Sequence, residues 1–351
     1  MNKRQKEVLK KHYKNEKALI NELILLYEQA LEDVNACIQI LLASDMQSKI
    51  YQRQYQENLK MQIVAILEKL YNKEYETVAD YLDDCYYNAF VGFLYDIQGQ
   101  GIPFLFPINQ KMVVDAILHK TKLTSSLYRE MGLDIKELQV KISNEISRGI
   151  STGMRYEDIA RNISDQTTIP LNRSRTIART EGNRIRSQAA FDAALKAKAQ
   201  GADIVKQWDS TLDSRTRPRH RIIDGETREL EEKFSNGLLF PCDPNGPAKE
   251  VVNCRCVAVT TARWALDEAE TKYLGDTKSM TAEQREHVAN KLGIPIEDLD
   301  KYSRSIVPLN AKSYEDFQQQ YSQIWHYEGS DLQKEVEARI AGYKSNHKYK
   351  S

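Results

Sequence analysis

Seven apolar residues, Ile20, Ile24, Tyr27, Leu31, Val34, Ile38 and Leu41, follow one another at alternating steps of four and three. Only a helix returns residues at that spacing to a single face, and three heptads of seam demand a long one. A polar break near Ser44-Asp45 separates this seam from a second stripe, Tyr55, Leu59, Ile63, Ile66 and Leu70. A third holds Leu82, Tyr86, Phe90 and Phe93. Breakers are scarce: 9 Pro and 15 Gly in 351 residues fall below the average usage of roughly 5% and 7%, which disfavours a turn-rich β sandwich. Such a seam serves an intrachain bundle or the docking of a partner protein, and periodicity alone does not separate the two.

A chain of 351 residues exceeds the roughly 250–300 at which one core stops growing, so two or three packed units are expected. Its 41% hydrophobic content excludes global disorder. With 50 Lys and Arg against 50 Asp and Glu, a uniformly basic nucleic-acid binder is excluded, whereas a local basic patch is not. No apolar core follows the basic start, and no run approaches about 18 apolar residues, so neither a signal peptide nor a membrane contact is expected. Five cysteines, an odd count, argue for a reducing cytoplasm rather than a disulfide scaffold.

The clearest breaker in the first half is Gln98-Gly-Gln-Gly-Ile-Pro103 with Pro107. The expected fold class is α+β: a mostly helical amino-terminal region over 1–107, a small mixed α+β domain over 108–262 and a helical extension over 263–351. Helical patterns resume from Met112 to about Ile163 with a break at Gly153. Thr167-Thr-Ile-Pro170 leads into a helix from about Arg173 to Gln200. Its stripe, Ala178, Ile185, Ala189, Ala193 and Ala197, is small enough for another backbone to approach closely. Asp203 to Asp209 suits a strand, Asp224-Gly225 a turn, Phe240 to Pro247 an irregular loop, and Val251 to Thr260 a second strand. Thr281 with Gln284 makes a capping box, and Phe317 to Ile340 is amphipathic.

Three features carry candidate chemistry. Arg175, Arg179 and Arg186 lie within about 40° of each other around a helix, in a stretch, 171–228, with 13 Lys and Arg against 7 Asp and Glu. Guanidinium groups so placed suit phosphate or carboxylate recognition, as nucleic-acid contacts or as ion pairs that fix packing. The segment from Trp208 to Gly225 is dense in short polar residues and arginines. Asp213, Arg215, Thr216, His220 and Asp224 can order a loop as a buried polar network or line an active site. No nucleophile stands beside His220, so the residue types do not assemble a general-base pair. Lastly, on a strand Cys254 and Cys256 point to one face. With Cys242 and His220 they form a Cys3His set of the kind zinc accepts, or else serve as small buried hydrophobes, as Cys37 and Cys85 are expected to do within helical stripes.

These residues, taken in order, resemble the phage Mu F-like head morphogenesis family. The likeness rests on Ala178-Arg179-Thr180-Glu181 opening a helix, then Ser210-Thr-Leu-Asp213-Ser-Arg215-Thr216-Arg217-Pro-Arg-His220, Asp224-Gly225, Phe234 and Asn253-Cys254-Arg255-Cys256. It covers about 130 to 260. The resemblance implies a minor head (capsid) protein without catalysis of its own, made in the host bacterial cytoplasm and then carried in the virion head. It also implies partnership with the phage portal protein and the major capsid protein, and contact with DNA. Many relatives carry Cys-x-x-Cys where this chain has Arg217-Pro-Arg-His220, and a His where it has Val251-Val252. The metal set the resemblance implies here is therefore His220, Cys254 and Cys256, with Cys242 as a substitute. Two rival functions stand beside it. One is an ADP-ribosyltransferase-like enzyme or toxin, for which Glu229-Leu-Glu231 offers a Glu-x-Glu pair. The other is a DNA-binding module.

Overall fold

The computed structural model describes residues 1–43, 49–102, 104–109, 112–113, 116, 134–145, 147–148, 152, 154, 156–263, 281–292, 295–300 and 311–326. Among these residues the fold is α+β, with long helices and one three-stranded antiparallel sheet. Helix α1 (Lys3–Ala43) contains neither Gly nor Pro. Helix α2 (Lys49–Gly99) joins the second and third stripes in one element of 51 residues. Helix α3 (Tyr156–Ala199) passes straight through Pro170, where the sequence suggested that a helix begins only near Arg173. The missing proline N–H takes the helical donor from the Gln166 carbonyl, and the hydroxyls nearby bond other carbonyls of these turns. Thr167 and Thr168 donate their hydroxyls to the Ser164 carbonyl, and Ser174 donates to that of Pro170. Burial of Ile159 and Ile163 before the proline and Ile177 after it outweighs the local cost of about 3 kcal/mol.

Two compact units are built from interleaved stretches, so neither coincides with one segment of a division at 107 and 262. The first comprises Met1–Tyr13, Asp84–His119 and Asn183–Ser351; the second comprises Lys14–Asp83 and Lys120–Gly182. In the second unit Tyr27, Ala30 and Val34 of α1 and Leu59, Ile63, Leu67 and Leu70 of α2 share a core. Ile135, Leu138 and Ile142 of the helical stretch 134–145, with Ile159 and Ile163 of α3, complete it. The α1 seam is thus centred one position from the expected one: Leu19, Leu23, Tyr27, Ala30 and Val34 are buried, while Ile20, Ile24 and Leu31 flank them. The side chains of Ile38, Leu41 and Tyr55, the polar break at 44–48 and Gly153 lie outside the described residues.

In the first unit Tyr86, Phe90 and Phe93 of α2 are buried. The alanine stripe of α3 is buried as its small residues require, with Ala189, Ala193 and Ala197 fully enclosed. Helix α2 ends with Gly101 at φ 86 and α3 with Gly201 at φ 95. In each case the next residue donates its N–H to the carbonyl five back, Ile102 to Ile97 and Ala202 to Ala197. This is the Schellman closure, which needs a left-handed residue and so favours glycine. Strand β1 (Ile204–Asp209) follows at once. It pairs antiparallel with β2 (Thr227–Arg228), Lys206 opposite Arg228, and with β3 (Val257–Ala262), Ile204 opposite Ala262 through Asp209 opposite Val257. Between them lie the short helices α4 (Pro218–Ile222) and α5 (Ala248–Val251).

The strand expected from Val251 therefore begins only at Val257, because α5 and a turn at 252–256 occupy the preceding residues. Asn253 is left-handed there, at φ 54. Helix α6 (Ala282–Leu292) starts after Thr281 as the capping signal suggested, although the Gln284 side chain is outside the described residues. Helix α7 (Tyr314–His326) packs within the first unit. Tyr314 donates to the Asn88 carbonyl and Tyr321 to that of Phe106, and the Tyr95 ring lies 5.3 Å from Phe317.

Candidate functional site

Strand β1 delivers Trp208 to the centre of the polar segment, with its side chain fully buried. Its indole edge meets the His220 and Phe234 rings, both at 5.2 Å. The indole N–H donates to Ser210 Oγ at 3.0 Å, and Ser210 donates on to the His220 carbonyl at 2.7 Å. Asp224 accepts the Ser210 backbone N–H at 2.7 Å. Gly225, at φ 80, closes the turn by donating to the Trp208 carbonyl.

Asp213 organises the outer part of the loop. Its Oδ1 accepts from Arg255 at 2.6 Å, from Thr216 at 3.1 Å and from the Arg215 backbone at 3.0 Å. The Arg255 hydrogen bond, the largest of these influences, holds the carboxyl well below the usual carboxylate range. Arg221 donates to the carbonyls of Thr216 and Asp213, and Arg217 to that of Val252 at 2.5 Å. These arginines thus cap turn carbonyls, which suits a loop that cannot form a ladder.

Beneath the loop His220 is buried, with its two ring nitrogens facing different chemistry. Nδ1 lies 3.6 Å from Cys254 Sγ and 3.4 Å from Cys256 Sγ. Nε2 lies 3.0 Å from Glu250 Oε2, and the other oxygen of Glu250 accepts from Arg219 at 3.3 Å. His220 Nδ1 and the two thiol sulfurs all fall within 4.8 Å of one another. Cys242, left-handed at φ 64, does not join that trio. Its Sγ rests on the Cys254 carbonyl at 3.5 Å and the Val251 carbonyl at 3.7 Å. All five cysteines are free. A hydrogen bond with Cys242 and burial push the Cys254 thiol up to about 12. Cys256 is also raised, first by its hydrogen bond with Cys254 and then by burial. Without a cation beside them both stay protonated at neutral pH, so neither has the thiolate character of a catalytic nucleophile.

Residues 140–259 match the family described as phage Mu protein F like protein. That stretch of the chain is a phage Mu F-like segment. The chain is 29% identical over 293 residues to the NAD(+)--arginine ADP-ribosyltransferase EFV of Enterococcus faecalis, covering 80% of this chain and 59% of that protein. It is 26% identical over 277 residues to the minor head protein GP7 of Bacillus phage SPP1, covering 78% of this chain and 86% of GP7. A third relative, the uncharacterized protein YqbB of Bacillus subtilis, is 27% identical over 157 residues. The chain spans 59% of the first of these proteins and 48% of the third. No solved structure matches the chain significantly.

The Mu F-like segment contains the whole constellation from Trp208 to Cys256. Asp213, Arg215, Thr216, Arg217, Asp224, Gly225 and Arg255 come together in the loop as described, and Asn253 shapes the turn that carries Cys254. The Ala178–Glu181 part of the motif is on α3, where Thr180 donates to the Thr176 carbonyl and Glu181 is buried. Each of the three arginines has its own partner. Arg179 pairs with Glu16 at 3.2 Å, Arg175 donates to Asn172, and Arg186 is buried with its guanidinium on the Cys256 carbonyl. Helical spacing puts them on one face of α3, and of the three Arg186 is the buried one. Glu250 escaped the sequence reading altogether. Its only local signal is a carboxylate four positions before Cys254, since its partner His220 is 30 residues away.

Proposed function

We propose that this Mu F-like protein is a minor head component of a tailed phage or prophage that acts in head morphogenesis at the portal vertex, in contact with portal and major capsid proteins. One observation carries the reading: the match to a minor head protein runs through 86% of that protein's length, so the helical elements are included along with the polar loop. The ADP-ribosyltransferase similarity supports a weaker rival, because this chain spans only 59% of that relative. The glutamates that would serve a transferase are engaged in surface ion pairs, Glu229 with Arg263 and Glu231 with Lys198, both at 2.7 Å. Quantitative mass spectrometry of purified particles is the test, with the portal protein as reference. A few to a few tens of copies per head are expected, on the order of the portal ring itself. Absence from particles and assembly intermediates, together with labelled arginine product from NAD, would overturn this reading in favour of the enzyme.

Contact with packaged DNA is a subsidiary part of the proposal and belongs to different arginines from those the helix spacing suggested. Arg215 and Arg219 project from the loop with side chains 78% and 62% exposed. Two such phosphate contacts would give a logarithmic salt dependence of about −2. Duplex binding measured between low and physiological salt should show that shallow slope and weaken in the double Arg215→Ala, Arg219→Ala variant. Binding unchanged by the double variant would remove these residues from the interface.

A further inference from the structure

The geometry points to a zinc site in this chain made by His220 Nδ1, Cys254 Sγ and Cys256 Sγ. Glu250 is its positioning residue, and the fourth coordination position faces a small polar cavity rather than Cys242. This goes beyond the head-assembly role and does not depend on it.

The two nitrogen–sulfur distances are those a tetrahedral ion would require. Zinc bonds of about 2.3 Å to sulfur and about 2.0–2.1 Å to nitrogen, at the tetrahedral angle, set nitrogen–sulfur edges of about 3.6 Å. The observed edges are 3.6 and 3.4 Å. The other face of the imidazole makes the contact that metal-bound histidines use. A carboxylate on Nε2 leaves Nδ1 as the free lone pair and strengthens it as a donor. Glu250 is itself only 4% exposed, so a second buried charged group is committed to orienting this ring. Left-handed Asn253, a conformation costly for a residue with a side chain, turns the chain between α5 and Cys254 so that both thiols reach one point.

The fourth position follows from what surrounds the trio. A cavity of about 10 Å³ touches His220, Cys254 and Cys256 and is otherwise walled by polar residues, among them Thr211, Arg217 and Asn253. That is room for about one water. Cys242 is absent from its lining: its sulfur reaches two backbone carbonyls and the Cys254 thiol, but it is not one of the trio that converges with His220. Three protein donors with a solvent-sized fourth site differ from the closed four-ligand arrangement that the residue types alone suggest.

The experiment uses the full chain, stripped with a chelator and titrated with zinc and, separately, cobalt(II) as a spectroscopic probe. One metal ion per chain is expected, with cobalt bands of a tetrahedral site bearing two thiolates. Cys254→Ser should abolish uptake and Cys242→Ala should retain it. Glu250→Gln keeps an acceptor for Nε2 but loses the charge, and should weaken zinc affinity about 10–100-fold with the melting temperature of the metal-free chain unchanged. Failure of the stripped wild-type chain, still folded by circular dichroism, to bind either metal would overturn the site. Loss of uptake in a folded Cys242→Ala chain would overturn the three-ligand set, and an unchanged affinity in Glu250→Gln would overturn the role of Glu250.

Discussion

Trp208→Ala is expected to lower the unfolding free energy by about 3–5 kcal/mol, the range for truncating a fully buried aromatic residue. The size of the effect reflects three losses in one place. The ring leaves its edge contacts with His220 and Phe234, a cavity opens behind β1, and Ser210 loses the donor that orients it toward the His220 carbonyl. Trp208→Phe should cost roughly half as much, because it keeps much of the apolar volume and loses the indole hydrogen bond, worth about 1 kcal/mol. Urea unfolding of the two variants checks this. A cost below about 1 kcal/mol for the alanine variant would mean that Trp208 is not the centre on which the polar loop is built.

The second large effect is in the helical core of the other unit and depends on pH. Glu74 is fully buried between Tyr27 and Ser174. Burial, with a smaller contribution from Asp134, raises its pKa from 4.5 to about 7, against the opposing hydrogen bonds of Ser174 and Tyr27. The folded chain therefore holds a proton between about pH 4.5 and 7 that the unfolded chain releases. Stability from this group is complete below pH 4.5 and is lost as pH rises through 7, by about 3 kcal/mol. Glu74→Gln removes the charge while the amide still fits its hydroxyl partners. Denaturant unfolding should show the variant more stable than wild type by up to about 3 kcal/mol at pH 8, and nearly equal to it at pH 4.5. An equal difference at the two pH values would exclude ionisation of Glu74 as the cause.

Much of the architecture was legible in the sequence wherever the signal was local. The helical seams, the small-residue face of α3 and its end near Gln200, the strand from Ile204 and the Asp224-Gly225 turn each follow from residues within a few positions of one another. Local signals mislead where neighbouring residues conflict. Pro170 looked like a boundary, yet packing of the isoleucines on either side carried the helix through it. The α1 seam was correct in period and displaced in phase, since period is a property of one helix and phase is set by what packs against it.

The candidate site divides in the same way. His220, Cys254 and Cys256 stand out by residue type, and the order of the motifs points to the Mu F-like family. Their meeting at 3.4–3.6 Å, the exclusion of Cys242 and the recruitment of Glu250 involve residues separated by up to 36 positions, joined through β1, two short helices and a left-handed turn. Sequence by itself determined the helical periods and the chemical groups on offer, because backbone propensity and apolar period act over one or two turns of chain. Tertiary structure alone decided which arginine is buried, which thiols face the imidazole and which carboxylate holds it. Those outcomes depend on the packing of segments that do not adjoin in the chain.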